Sequence, residues 1–233
     1  MGFFENLIHR FNLNFIESDR WMYIAEGLQT TLIVTFFALI IGVILGFGLA
    51  LIRATHDRQG NMKIANAIAK TYLTIIRGTP VTVQLLIIYF VIFGSVNVSK
   101  ILVAILAFGL NSAAYVAEIF RSGIMSIDIG QMEAGRSLGF NYWQTMVHII
   151  LPQAFKNVLP TLGNEFIVLL KETSVAGYVA VVDVTKAFRQ IGDANYSYII
   201  PYLMLALVYL VIVIVITQLI KLMERRLAKS DKN

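Results

Sequence analysis

From Leu28 to Ile52 the chain runs without a single charged residue. A helix needs roughly 20 mostly apolar residues to cross the hydrocarbon core of a bilayer, and this run supplies them. In water such a helix would have apolar groups on every side and nowhere to hide them. The rest of the chain does not offer a large enough interior. Of its 233 residues, 58% are hydrophobic and 14% charged, against roughly 25% charged in soluble domains. The bilayer is therefore the solvent for most of this chain. There are no cysteines, which excludes disulfides, thiolate metal sites and cysteine nucleophiles and leaves the redox compartment open.

Four more stretches read as spans, giving an all-α integral membrane protein with five transmembrane helices in one domain over residues 1–233. The spans are expected at about 28–52, 72–96, 101–119, 145–170 and 199–222. The apolar part of the second, Val81–Val96, is short, so the span is extended back through Tyr72–Pro80. Pro80 lacks an amide donor and disfavours a helical Thr79, so Arg77–Pro80 reads as a structural break. The fourth span holds Pro152, Lys156, Asn157, Pro160, Asn164 and Glu165 between apolar runs at Met146–Leu151 and Phe166–Leu170. A helix this polar belongs among other helices rather than against lipid, and Pro160 with Gly163 marks where it is expected to be irregular.

The first 20 residues lack the basic start and apolar run of a cleavable signal peptide. Phe3, Phe4, Leu7, Ile8, Phe11 and Phe15 fall at helical spacing, which fits an interfacial amphipathic helix or an ordinary N-terminal arm. Basic residues set the orientation. Arg53, Arg58, Lys63, Lys70 and Arg77 lie between spans 1 and 2, and Lys221, Arg225, Arg226, Lys229 and Lys232 lie in the tail. The opposite loops are poorer, with Arg10, Arg20, Lys100, Lys171, Lys186 and Arg189. The positive-inside bias puts the N-terminus outside and the C-terminus in the cytoplasm. The net charge of +5 thus reports topology, and nucleic acid is not expected as a partner.

Residues 121–145, between spans 3 and 4, do not belong in the membrane. Ser126 or Asp128 suits a helix N-cap, Glu133 follows in the first turns, where negative charge is favoured, and Gly139 suits the left-handed position that ends a helix. This predicts a short cytoplasmic helix over about 126–139, of a shape to dock in a partner's groove.

Glu133-Ala134-Gly135, Gly139, Ile149 and Leu151-Pro152 keep the spacing E-A-A-x3-G-x9-I-x-L-P. The chain in this respect resembles the permease subunits of ATP-binding-cassette importers, with Gly135 in place of the second Ala. Arg77–Pro80 (Arg-Gly-Thr-Pro) followed by Gln84, Asn111–Arg121 (N-S-A-A-Y-V-A-E-I-F-R) and Leu162–Ser174 (L-G-N-E-F-I-V-L-L-K-E-T-S) resemble the polar amino-acid branch of that family. The resemblance covers Gly27 to Arg226 and implies a type I importer permease fold. It implies a coupling helix in which Glu133, Ala134, Gly135 and Gly139 meet a cytoplasmic ATPase dimer. It also implies a second permease copy or paralogue, an extracellular or periplasmic solute-binding protein and an inner-membrane location. ATP and Mg would belong to the ATPase. No G-x-x-x-x-G-K-[ST] run occurs in this chain, no cofactor or metal is expected in it, and it is not expected to be an enzyme. Gly46 and Gly48 read as close helix packing.

Candidate substrate residues come from polarity inside spans. Asn111, Tyr115 and Glu118 are spaced i, i+4, i+7 and share a helix face. Asn164 and Glu165 lie in the polar span, and Gln84 follows the Arg77–Pro80 break. Ionisable groups in a membrane are functional candidates, and a zwitterionic amino acid needs both acceptors and donors. Two carboxylates in one cavity would favour a basic substrate, with glutamine the neutral alternative. Glu118 has a second reading, as the ion-pair partner of Arg121 at i+3. Other classes are a same-family permease for another small solute and an ion-coupled secondary carrier, which commonly shows internal repeats. No repeat is evident, and no Ser–His or His–Glu–His spacing suggests an intramembrane enzyme. His9, His56 and His148 are scattered.

Overall fold

The computed structural model describes residues 2–230, in which helices carry the whole architecture and no strand occurs among the described residues. The helices are α1 (Phe3–Phe11), α2 (Trp21–Gln59), α3 (Lys63–Gly78), α4 (Val81–Leu86), α5 (Lys100–Met125), α6 (Ile129–Ser137), α7 (Tyr142–Thr145), α8 (Leu151–Glu172), α9 (Val184–Asn195) and α10 (Ile199–Ser230). Three of them, α2, α5 and α10, are each long and apolar enough to cross a bilayer unbroken. At 39 residues, α2 is about 58 Å long and overshoots the hydrocarbon core at both ends.

The expected second span is not one helix. It divides at Thr79, whose backbone is extended (φ −124°, ψ 145°), as a residue before proline prefers. α3 and the segment Val81–Ile92 are long and apolar enough to cross a bilayer only when taken together. The fourth span is helical from Tyr142 to Glu172, but α8 is not among the helices apolar enough to qualify. Its irregularity also lies elsewhere than expected. Pro160 sits inside regular helix, and the distorted turn is π-helical at Met146–Ile150, where the Leu151 amide donates to the Met146 carbonyl five residues back. Pro152 follows directly and has no amide to continue the regular ladder.

The chain divides into two compact units whose boundaries fall inside α2, α5, α8 and α10 and between Pro80 and Val81. One comprises Met1–Ala38, Val81–Phe108 and Ile167–Ile216. Its core joins Phe15 to Val184, Phe188 and Ile191 of α9, with Ile24, Leu28, Met204 and Val208 packed around them. α9 begins at Asp183, whose carboxylate accepts from the amides of Thr185 (2.9 Å) and Lys186 (3.1 Å). Burial pushes the Asp183 carboxyl above the usual range, and these amide donors pull it back. The Val184 amide donates to Thr31 Oγ1 at 3.0 Å. A side chain on Gly27 would lie 2.8 Å from the Asp183 carbonyl oxygen, so glycine is what lets α2 reach this corner. A cavity of about 660 Å³ opens beside the polar face of α9, lined by Tyr178, Asp183, Lys186, Arg189, Asp193 and Tyr202 among others.

The other unit comprises Leu39–Pro80, Gly109–Phe166 and Thr217–Asn233. Here α2 meets α5 at small residues, since a Cβ on Gly42 would lie 2.8 Å from Ser112 Oγ and one on Gly46 2.8 Å from the Ala113 carbonyl oxygen. Without an aqueous hydrophobic effect, such backbone proximity is what gains dispersion energy in a membrane. Gly48 has nothing within 4 Å of an added Cβ, so the expected glycine pair splits into one packing residue and one open position. Phe47 and Phe120 pack edge to face at 5.1 Å above Val116 and Val158. Lys232 of the basic tail, and the side chains of Phe3, Phe4, Leu7 and Lys229, lie outside the described residues.

Candidate functional site

The short helix between α5 and α8 is built from local signals. Asp128 caps α6, its Oδ1 accepting from the Gly130 amide at 2.7 Å. Ser126, the other expected cap, instead donates to the Gly123 carbonyl at 2.8 Å. α6 stops where Gly139 takes φ +90°, the left-handed geometry that glycine adopts without strain. The Phe140 amide donates to the Gly135 carbonyl (3.1 Å) and the Gly139 amide to that of Arg136 (3.0 Å), the pair of bonds of a Schellman stop. α7 then starts in a capping box. The Gln144 amide donates to Asn141 Oδ1 (2.9 Å) and the Asn141 amide to Gln144 Oε1 (2.8 Å). That N-x-x-Q signal stood in the sequence and was missed.

Gly135 faces inward. A Cβ there would lie 2.5 Å from Thr145 Cγ2 and 3.0 Å from Ile149 Cδ1. The departure from alanine at this position is therefore matched by a β-branched residue on the facing helix. Met132 joins Ala54, Ile124, Ile127, Tyr142, Met146 and Ile150 in one apolar cluster, which holds α6 to the ends of α2, α5 and α8. Glu133 and Ala134 lie on the exposed side. Around them Ile129, Leu138, Phe140 and Trp143 are also exposed, Leu138 at 76%. Together they form an exposed apolar rim around α6.

The two candidate carboxylates have different surroundings. Glu118 is held by Arg53, by Arg121 Nε at 3.1 Å and, more distantly, by Arg77 Nη1 at 3.7 Å. Arg121 also reaches Asp57 at 3.2 Å. Sequence left Glu118 open between substrate ligand and ion-pair residue, and the geometry gives it the expected Arg121 partner and two more. Its charge is already balanced by guanidinium groups from three helices, two of which, α2 and α3, sequence proximity could not reveal. Glu165 is 8% exposed and accepts from Ser112 Oγ at 2.8 Å. The cavity of about 460 Å³ beside Glu118 is lined by Ser122, Ser126, Asn157 and Thr161, and Glu165 is not among its lining residues.

The remaining candidates scatter. Asn111 is buried, at 2% exposed, and precedes Ser112. Tyr115 is exposed, with the Arg77 guanidinium 5.8 Å from its ring centre. Asn164 is exposed, and Gln84 is buried in α4, in the other unit. Ser112, which donates to Glu165, was not among the expected site residues. Its signal was a hydroxyl inside an otherwise apolar helix.

Residues 42–229 match the model of a family described as the binding-protein-dependent transport system inner membrane component. The chain belongs to this family. The permease is 39% identical over 211 residues to the arginine transport system permease protein ArtQ of Bacillus subtilis (strain 168), covering 90% of this chain and 94% of ArtQ. It is 33% identical over 205 residues to the glutamine transport system permease protein GlnP of Escherichia coli (strain K12), covering 87% and 91%. A solved amino acid ABC transporter with histidines superposes with TM-score 0.80 and 38% identity, over 97% of this permease and 99% of that chain. The inward-facing MetNI methionine ABC transporter superposes with TM-score 0.73 at 22% identity and bears on the fold alone. The permease fold expected from the E-A-A-type motif is thus the fold observed.

Proposed function

We propose that this permease carries a polar amino acid into the cytoplasm by alternating access, driven by an ATPase that docks on α6. In this reading the chain spans the inner membrane five times, counting α3 with α4 as a broken span and Tyr142–Glu172 as a polar one, with its N-terminus outside. A second permease copy or paralogue completes the pathway. A solute-binding protein delivers the substrate, and ATP and Mg reside in the ATPase.

The observation that carries this reading is the exposed apolar rim around α6. Ile129, Leu138, Phe140 and Trp143 stand out from a short capped helix anchored by Met132 and Gly135. Leu138→Glu is expected to cut co-purification of the ATPase about tenfold or more, since a charge in an apolar interface must be desolvated, while the permease still inserts. Undiminished ATPase binding by that variant would remove α6 as the docking element. For orientation, a cysteine at Asn61 should stay unlabelled by an impermeant reagent in intact cells; labelling there would reverse the topology.

For the substrate, the names of the relatives point to arginine and glutamine, and Glu165 supplies the chemistry. It is a carboxylate buried within a polar helix and oriented by Ser112. We assign it as the acceptor for a substrate ammonium, with Asn111 close by in sequence to that serine. Uptake into proteoliposomes of Arg, Lys, His and Gln, each competed by the others, tests this. Failure to take up any of the four would sink the amino-acid assignment and leave the docking role of α6 standing.

A further inference from the structure

The polar residues at the end of α2 have no part in the function proposed so far. Arg53 pairs with Glu118, Asp57 with Arg121 at 3.2 Å, and Arg58 Nη2 donates to the carbonyls of Ile124 (2.9 Å) and Ile127 (3.3 Å). On α2 these are residues i, i+4 and i+5, one face of one and a half turns. On the other side, Glu118, Arg121 and Ile124 climb α5 in steps of three. Ile127 is the residue before Asp128, the cap of α6. The Ile124 and Ile127 carbonyls lie where α5 ends and its own amide donors run out, so Arg58 holds a terminus that would otherwise be free to fray. Tyr142 Oη, from the far side of α6, donates to Thr55 Oγ1 at 3.4 Å. The bonds join α2 to the last turns of α5 and to the chain on both sides of α6.

We propose that Arg53, Asp57 and Arg58 are coupling residues, a clasp that makes α2 move as one body with α5 when a partner pushes on α6. The inference rests on the docking role of α6 proposed above. The apolar cluster of Ala54, Ile124 and Met132 fills the same junction, but apolar packing lets helices slide. Guanidinium–carboxylate and guanidinium–carbonyl bonds are directional and fix the register. The clasp therefore converts a displacement of α6 into a displacement of span 1 as well as span 3, and it stays closed throughout the cycle.

The absence of native cysteines allows a direct test on the full transporter in proteoliposomes. Asp57→Cys with Arg121→Cys opens the outer pair. ATP hydrolysed per amino acid imported should rise about fivefold or more, the range of an ordinary coupling free energy. Closing the two thiols with a short bis-maleimide should return the ratio toward that of the wild type. Asp57→Ala alone, at the partly exposed rim, should raise the same ratio with an unchanged melting temperature, which a merely structural role would not produce. An unchanged ratio in both variants overturns the proposal. So does loss of transport on cross-linking, because the clasp would then have to open. A wild-type complex that hydrolyses ATP without importing any amino acid overturns the transport reading itself, a result read before any variant is made.

Discussion

Around Glu118, guanidinium groups arrive from α2, α3 and α5, whereas Glu165 accepts from a neutral hydroxyl, Ser112 Oγ, at 2.8 Å. Both are glutamates inside helices of the same compact unit, and both attract attention for the same reason, the rarity of charge in a span. Their surroundings differ although each lies seven residues from the C-terminal end of its helix. Glu118 is level with Arg53, the first arginine after the uncharged run of α2. Glu165 lies among the apolar residues of the second half of α8. The fold brings to Glu118 the basic residues that follow the uncharged run, and to Glu165 the hydroxyl of Ser112. Rarity of charge in a span does not by itself tell what a carboxylate is paired with.

The largest effect should follow from Glu118→Gln. It leaves Arg53, Arg77 and Arg121 facing one another with Asp57 as the acid paired to the group. Removing one partner from a largely buried pair costs about 3–5 kcal/mol. Glu118 retains a quarter of its side-chain exposure, so about 2–3 kcal/mol is expected, read as a lower melting temperature and a poorer yield in detergent. A variant as stable as wild type would mean that water, rather than the carboxylate, screens the three guanidiniums.

Glu165→Gln should do the reverse. The amide oxygen still accepts from Ser112, so folding stability should change by about 1 kcal/mol or less. Uptake of a cationic amino acid should fall about tenfold or more, the equivalent of one lost charge-assisted bond. If uptake and stability fall together, Glu165 is structural and the contrast between the two glutamates collapses.

Much of this arrangement was legible before any coordinates. The uncharged run from Leu28 marked α2, and Gly139 was expected at a left-handed position and has φ +90°. The cap signals at Ser126 or Asp128 and at Gly139 located α6 to within three residues at each end. What escaped was either long-range or a pattern not read. Nothing near Glu118 in sequence announces Arg53, 65 residues away. Gly46 and Gly48 look alike until the facing helix shows that one meets Ala113 and the other empty space. α9 was legible in principle, because Asp183 caps a run in which Val184, Ala187, Phe188 and Ile191 recur at i, i+3, i+4 and i+7. The segment was read only for its charges, Lys186 and Arg189, and so it passed as a loop.

The smallest effect sharpens the contrast within the Glu118 cluster. Arg77 and Arg53 address the same carboxylate oxygen, but Arg77 stands 3.7 Å away with a side chain 47% exposed, while Arg53 is in direct contact and 13% exposed. At that distance and exposure an ion pair is worth less than about 1 kcal/mol. The guanidinium also lies 5.8 Å from the Tyr115 ring centre, and an exposed contact of that kind adds about 0.5–1 kcal/mol. Arg77→Met keeps an unbranched stem against the tyrosine and loses both terms, so the total loss should stay near 1 kcal/mol. Arg53→Met strips the nearest countercharge from Glu118 and should cost more than twice as much. Melting temperatures of the two variants in the same detergent decide it. Equal losses would show the arginines sharing the carboxylate evenly, and the order of contacts seen around Glu118 would then carry no energetic weight.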